Sequence, residues 1–268
     1  MTDRVALTVS DQIARITLNR PDRHNGVDMP MLKEMAHVQK ALRRDRRIRA
    51  AVLHGAGPSF CAGLDVKSLL LDRKTMLGAL LRLCSPWRNL FQSWSLGLRE
   101  LPFPVVAAVH GNCFGAGIQL ALGADLRVAA PDANLSVMEM RWGLIPDMGG
   151  SVLLRELMPI DQAKSLIMSG RILSAHEALQ LGLVTKVVAD PLEAAEALAR
   201  ELSDGSPDAV AAGKFLLQRA WQASDGAALR LERYWQRRLI GRANQRIAVR
   251  RQLRPDKAPP YAARTIEK

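Results

Sequence analysis

Two short loops hold the residues best suited to chemistry: Ser59-Phe60-Cys61-Ala62-Gly63-Leu64-Asp65, and His110-Gly111-Asn112-Cys113-Phe114-Gly115-Ala116-Gly117-Ile118-Gln119. Small residues let backbone N–H groups come close to a ligand, and the start of a helix presents N–H groups that have no intrahelical acceptor. Two such turns set side by side could form an oxyanion hole, a pair of donors for a carbonyl oxygen that gains negative charge during reaction. Two tight turns that bind nothing would have the same composition.

Other site chemistries lack their residues. Gly115-Ala-Gly117 would need a glycine at position 120 to read as a dinucleotide fingerprint, and Leu120 stands there. Neither glycine turn continues as the Gly-Lys-Ser/Thr of a phosphate-binding loop. His176-Glu177 lacks the second histidine of a zinc-binding pair, and the five histidines form no ligand spacing with cysteine, so no metal site is expected. A Gly-x-Ser-x-Gly nucleophile elbow is absent as well.

The elements that must position the two loops are readable. Val5 to Val9 and Ile13 to Leu18 alternate apolar and polar residues around Ser10-Asp11, an opening hairpin. Asp28 reads as an N-cap with Pro30 in the first turn, and Met31, Leu32, Met35, Val38 and Leu42 give a helix to about Arg43. Strands at Ala51 to His54 and Val105 to Val109 each lead into one of the glycine loops. Between them a helical region from about Thr75 to Glu100 must break or kink at Pro86. Ser174-Ala-His-Glu177 fits a capping box with Gly182 as the stop. Asp190-Pro191 and Ser206-Pro207 each set a capping side chain before a first-turn proline, and helices are expected over 190–204, 206–221 and 225–240. The fold class is therefore α/β, divided as a core over 1–195 and a helical region over 196–268.

The chain has 268 residues, 48% hydrophobic and 24% charged, enough apolar material for a sizeable core. Its formal net charge of +12 is uneven: residues 228 to 268 hold twelve Lys or Arg against three Asp or Glu, a net +9. Such an excess attracts polyanions. Aromatic residues make up only 4% of the chain, and those in the basic tail, Tyr234, Trp235 and Tyr261, read as helix-packing residues, which does not point to nucleic acid. Leu101 to Ala124 is free of formal charge and long enough to cross a bilayer, but its two prolines and four glycines read as strand, turn and helix rather than a span. Met1 to Leu18 does not read as a signal peptide. Three cysteines with no Cys-x-x-Cys pair argue against a disulfide framework and for a reducing, cytoplasmic setting.

Five segments, in order along the chain, resemble the crotonase (enoyl-CoA hydratase/isomerase) superfamily. They are Leu18-Asn-Arg-Pro-Asp-Arg-His-Asn25, Phe60-Cys-Ala-Gly-Leu-Asp65, Ala108-Val-His-Gly-Asn-Cys-Phe-Gly-Ala-Gly117, Glu139-Met-Arg-Trp-Gly-Leu-Ile-Pro-Asp-Met-Gly-Gly150, and Gly170-Arg-Ile-Leu-Ser-Ala-His-Glu-Ala-Leu-Gln-Leu-Gly-Leu-Val184. The resemblance implies a crotonase-type spiral of ββα units with C-terminal helices that build a homotrimer, or a hexamer as a dimer of trimers. It puts oxyanion donors at the N–H groups of Leu64 and Ala116. Coenzyme A, as part of an acyl-CoA substrate rather than a separate cofactor, would lie along Arg23, His24, Ala62, Gly63, Leu64, Asp65 and Val66, with Gly115 beside Ala116. Arg250, Arg251 and Lys257 would contribute to a rim for its phosphates.

The same resemblance sets the acid-base question. Family hydratases carry two glutamates, and this chain has Gln119 at the first position and Glu139 at the second. An amide holds water or a carbonyl but cannot exchange a proton. Asp147 stands where dienoyl-CoA isomerases of the family carry a catalytic aspartate. The expectation is an acyl-CoA enzyme of fatty acid metabolism that shifts double bonds, with Glu139 and Asp147 exchanging protons and Gln119 orienting substrate. Two alternatives are a hydratase, a lyase using Glu139 with Gln119 fixing the water, and a catalytically silent acyl-CoA-binding protein. Trp87, Trp94 and the apolar residues between Met76 and Leu98 are candidates for an acyl pocket, and a plain core would explain them equally well.

Overall fold

The apolar runs predicted as buried strands lie at the centre of a six-stranded sheet. In the computed structural model, which describes residues 3–65, 78, 81, 84 and 86–267, the strands are β1 (Val5–Ser10), β2 (Ile13–Leu18), β3 (Ala50–Gly55), β4 (Val105–Val109), β6 (Leu126–Ala129) and β9 (Lys186–Val187), in that spatial order. β1 pairs antiparallel with β2, and the rest are parallel. Parallel strands are covered on both faces, hence the unbroken hydrophobic runs. Ala51, Leu53, Val105, Ala107 and Val109 face the larger core, whereas Ala50, Val52, Val106 and Ala108 face a smaller one.

Helix α1 (Met29–Arg44) starts where Asp28 accepts the Met31 N–H at 3.0 Å and turns Met31, Leu32, Met35, Val38 and Leu42 inward at helical spacing. With α2 (Leu90–Arg99) it covers the larger core. The charge-free segment 101–124 divides into β4, β5 (Asn112–Phe114) and α3 (Ala116–Gly123), as expected, and among the described residues no helix is long and apolar enough to cross a membrane. A second sheet joins β5 parallel to β7 (Asn134–Ser136) and β7 antiparallel to β8 (Leu173–Ser174). A 3-10 turn at Glu139–Trp142, α4 (Gly150–Leu154) and α5 (Ile160–Ser169) lie between those two strands. Of the helix expected over 75–100, residues 75–77, 79, 80, 82, 83 and 85 lie outside the described residues, and α2 follows Pro86.

The caps behave as their residues require. Ser174 and Glu177 form both bonds of the capping box on α6 (Ala175–Gln180), and Gly182 follows with a φ of +76°. Asp190 accepts two N–H groups at the start of α7 (Pro191–Ser203), and Ser206 caps α8 (Pro207–Ala220). The division expected at 195/196 falls inside α7, whose Ala195 and Ala199 pack on the smaller face of the main sheet. Helices α9 (Asp225–Leu239) and α10 (Ala243–Leu253) complete the helical region, with Phe215 and Trp235 stacked at 5.8 Å. Its anchor is Asp208, 2% exposed, which accepts from Asn244 Nδ2 at 2.8 Å, Thr265 N at 2.6 Å, Ile266 N at 2.9 Å and Thr265 Oγ1 at 3.1 Å. Arg250 and Lys257 are exposed, whereas Arg251 donates to Asp204 O and lies 4.8 Å over Tyr261.

Candidate active site

The two glycine loops are brought together by a short parallel pairing of Cys61 with Cys113. Cys61 N–H donates to Asn112 O at 2.9 Å and Phe114 N–H to Cys61 O at 2.9 Å. Both thiols are fully buried, and burial pushes that of Cys61 up to about 12, so they pack rather than react. Beyond the pairing, the chains approach so closely that a Cβ on Gly63 would lie 3.0 Å from Phe114 O and 3.8 Å from Ala116 N, and one on Gly117 would lie 2.3 Å from Cys61 O.

The directions of the N–H groups follow from the neighbouring bonds. Val27 donates to Gly63 O at 2.8 Å and accepts from Asp65 N–H at 2.9 Å, which is the pattern of a parallel bridge centred on Leu64. The N–H of Leu64 therefore points away from Val27. Ala116 is the first residue of α3, so its N–H is one of the orphan donors at a helix start. Gly115, at a φ of +51°, makes the turn into that helix and donates to Ser136 O at 2.9 Å.

The remaining candidates along this loop fall beside it. His24 O accepts the Ala62 N–H at 2.9 Å, and the exposed His24 ring meets Ser59 Oγ at 3.0 Å. Arg23 is exposed on the same turn, and Asp65 is paired with Arg20 at 2.9 Å. Val66 lies outside the described residues. Sequence reasoning passed over Asn25, which is fully buried at a φ of +55°. Its amide nitrogen donates to Ala56 O, Ser59 O and Phe60 O and its oxygen accepts the Arg20 N–H, so one side chain shapes the loop's approach. Its position at the end of the Leu18–Asn25 segment was the available signal.

Glu139 is 9% exposed on the first turn after β7. A Cβ on Gly115 would lie 3.4 Å from its Oε1, so the carboxyl adjoins the turn that ends in Ala116. Gln119, 1% exposed, donates from Nε2 to Glu139 Oε1 at 2.6 Å, while its Oε1 accepts the N–H groups of Met148 and Gly150, each at 2.9 Å. Three of the four hydrogen bonds open to this amide thus go to protein. Glu139 Oε2 is buried with no hydrogen-bond partner among the described residues. Burial pushes the Glu139 carboxyl above its usual range, the charge of Asp147 adds to that, and its own backbone N–H and Gln119 oppose it.

Asp147 sits two positions before Gly149, on the turn that Gln119 holds. It is open to solvent on one side, and partial desolvation by the surrounding protein raises it as well. It lines a groove of about 440 Å³ with Gln92, Leu96, Ile145, Pro146 and Val152. Of the aromatic candidates for an acyl wall, Trp87 is 80% exposed and Trp94 1%. Trp94 is a core residue whose indole N–H donates to Ala116 O at 2.9 Å. Among the described residues no cluster of three His, Cys, Asp or Glu is placed to hold a metal ion.

The arrangement sets the Gly63–Leu64 turn against the start of α3 and places a buried carboxyl, Glu139, next to Gly115. Comparison with known proteins identifies the family. The sequence profile of the enoyl-CoA hydratase/isomerase family matches residues 8–251. The chain is 35% identical over 220 residues to the carnitinyl-CoA dehydratase of Escherichia coli strain K12, covering 80% of each chain. It superposes on the enoyl-CoA hydratase of Bacillus anthracis with a TM-score of 0.87 at 27% identity, covering 97% of this chain and 99% of that one. For an enoyl-CoA hydratase from Polaromonas sp. JS666 the TM-score is 0.86 at 30% identity, with 96% and 99% covered. With its spiral α/β core, its helical C-terminal region and its paired glycine turns, the chain belongs to the enoyl-CoA hydratase/isomerase family, the crotonase superfamily.

Proposed function

We propose that this enzyme moves a double bond within an unsaturated acyl-CoA, with Glu139 exchanging the proton at the carbon next to the thioester carbonyl. The observation that carries the reading is the state of Glu139: one oxygen held by Gln119 beside the Gly115–Ala116 turn, the other buried with no hydrogen-bond partner among the described residues. The thioester oxygen would sit between the N–H groups of Leu64 and Ala116, where negative charge develops as the enolate forms. Each such donor contributes about 2.7–4 kcal/mol to the transition state. Burial that disfavours the charged carboxylate makes Glu139 a stronger base.

Asp147 supplies the second proton site. One carboxyl removes a proton from one carbon while the other delivers a proton to a carbon further along the chain, so atoms and charge balance with no added reagent. Gln119 has at most one N–H left for a water, so a hydratase in which it fixes the nucleophile would rest on a single hydrogen bond. Its amide oxygen already accepts two backbone N–H groups, so it cannot also accept from a nucleophilic water. Similarity to a carnitinyl-CoA dehydratase favours a second reading, loss or addition of water across the same bond. Glu139 would then handle the same proton and Asp147 the one on the departing or arriving hydroxyl. Product analysis on a 2-enoyl-CoA, a 3-enoyl-CoA and a 3,5-dienoyl-CoA decides between them. Migrated double bonds support the first reading, and fast hydration with no migration replaces it with the second.

A further inference from the structure

We propose that Trp94 and Ser95, consecutive residues of α2, are positioning residues that separately hold the two halves of this site. Trp94 would fix the oxyanion turn and Ser95 the turn that carries Asp147. The inference rests on the acyl-CoA reading above and concerns side chains that touch no substrate. Consecutive residues on a helix diverge by about 100°, and these two reach different segments. Trp94 Nε1 donates to Ala116 O at 2.9 Å, the carbonyl of the residue whose N–H faces the site. Ser95 Oγ donates to Met148 O, one residue past Asp147. Both side chains are buried, at 1% and 0% exposure.

The packing leaves no slack. A Cβ on Gly149 would lie 2.5 Å from Ser95 Oγ, and one on Gly123 would lie 2.4 Å from Ser95 O, so α2 touches the backbone of both the 148–150 turn and α3. α2 is itself fixed by the Asn89–Gln92 capping box and by Gln39 of α1, whose Nε2 donates to Trp94 O at 3.0 Å. Here each polar atom is aimed at a carbonyl within one residue of a group assigned to the chemistry. Displacing a preorganised donor costs catalysis even when the fold survives.

The test compares Trp94→Phe, Ser95→Ala and Gln39→Met, the last loosening α2 from its far side. A chromophoric arylacryloyl-CoA, whose absorption moves to the red when its carbonyl is polarised, reads the oxyanion site without turnover. Exchange of the hydrogen next to the carbonyl reads Glu139, and double-bond migration reads Asp147. Trp94→Phe is expected to reduce the red shift and to lower exchange about tenfold, with KM within about twofold. Ser95→Ala should preserve red shift and exchange while lowering migration by about the same factor. A red shift and exchange rate unchanged in Trp94→Phe, or equal losses in all three variants, would overturn the proposal. If Trp94→Phe does not fold, 3-benzothienylalanine at position 94 keeps the shape and removes only the N–H, and the same outcomes apply. A wild-type protein that gives no red shift overturns the acyl-CoA reading instead, so the two failures are distinguishable.

Discussion

Changing Gln119 to Met tests how the site sets the charge on Glu139. The substitution preserves length and burial but removes the donor 2.6 Å from Glu139 Oε1 and the acceptor of the Met148 and Gly150 N–H groups. A hydrogen bond to a buried carboxylate is worth about 1.5–3 kcal/mol, and each pH unit corresponds to about 1.36 kcal/mol. Gln119 opposes the upward push of burial, so its loss should move the acidic limb of the reaction, the rise that follows deprotonation of Glu139, to higher pH by about one to two units. Two orphaned N–H groups cost about 1–3 kcal/mol each, a large share of an ordinary domain's ~5–15 kcal/mol. The assay should therefore be run on protein verified as folded by circular dichroism. Mass spectrometry of deuterium entering a saturated acyl-CoA next to its carbonyl, from about pH 4 to 9, gives the limb directly. A limb that stays in place while the rate falls would refute the positioning of Glu139 by Gln119. A limb that moves to lower pH would refute the sign of the electrostatic argument.

Glu139→Gln should lower that exchange by about 10²–10⁴ while calorimetry still detects acyl-CoA binding. The same variant should be the more stable protein in alkaline solution. A carboxyl raised by burial holds its proton longer folded than unfolded, so native stability falls as pH rises from the ordinary 4.5 through the folded value. The gain in Tm should vanish below that ordinary value. Asp147→Asn should abolish double-bond migration yet preserve exchange, and an unchanged migration rate would return Asp147 to the role of a turn residue. Gly63→Ala forces a side chain onto a φ of +98° and to 3.0 Å from Phe114 O, which should cost about 1–3 kcal/mol and lower kcat by parting the two turns. Asp208→Ala releases four donors from the C-terminal segment. It should destabilise the protein by about 3 kcal/mol or more, with faster proteolysis after α10 as the readout.

The elements whose signals are local can be read from the residues alone. The parallel strands were legible because burial on both faces leaves Val105 to Val109 continuously apolar, and the helix starts because Asp28, Ser174, Asp190 and Ser206 are capping side chains at the first turn. The candidate residues Glu139, Gln119 and Asp147 were legible through the segments that resemble the family. What Gln119 touches depends on contacts between residues 20 to 31 positions apart, which no local pattern encodes. The packing of α3 against the 139–150 segment makes Gln119 hold Glu139 and the 148–150 turn rather than offer its whole amide to a substrate or water. Tertiary packing also takes Trp94 from a candidate acyl wall to a hydrogen bond on Ala116 O, and gives Asn25, Ser95 and Asp208 tasks that a polar residue in a loop, helix or first turn does not announce. The physical reason is the same for all of them. A buried polar group must find its partner within the fold, and which partner lies within reach is settled by how the helices and turns pack around it.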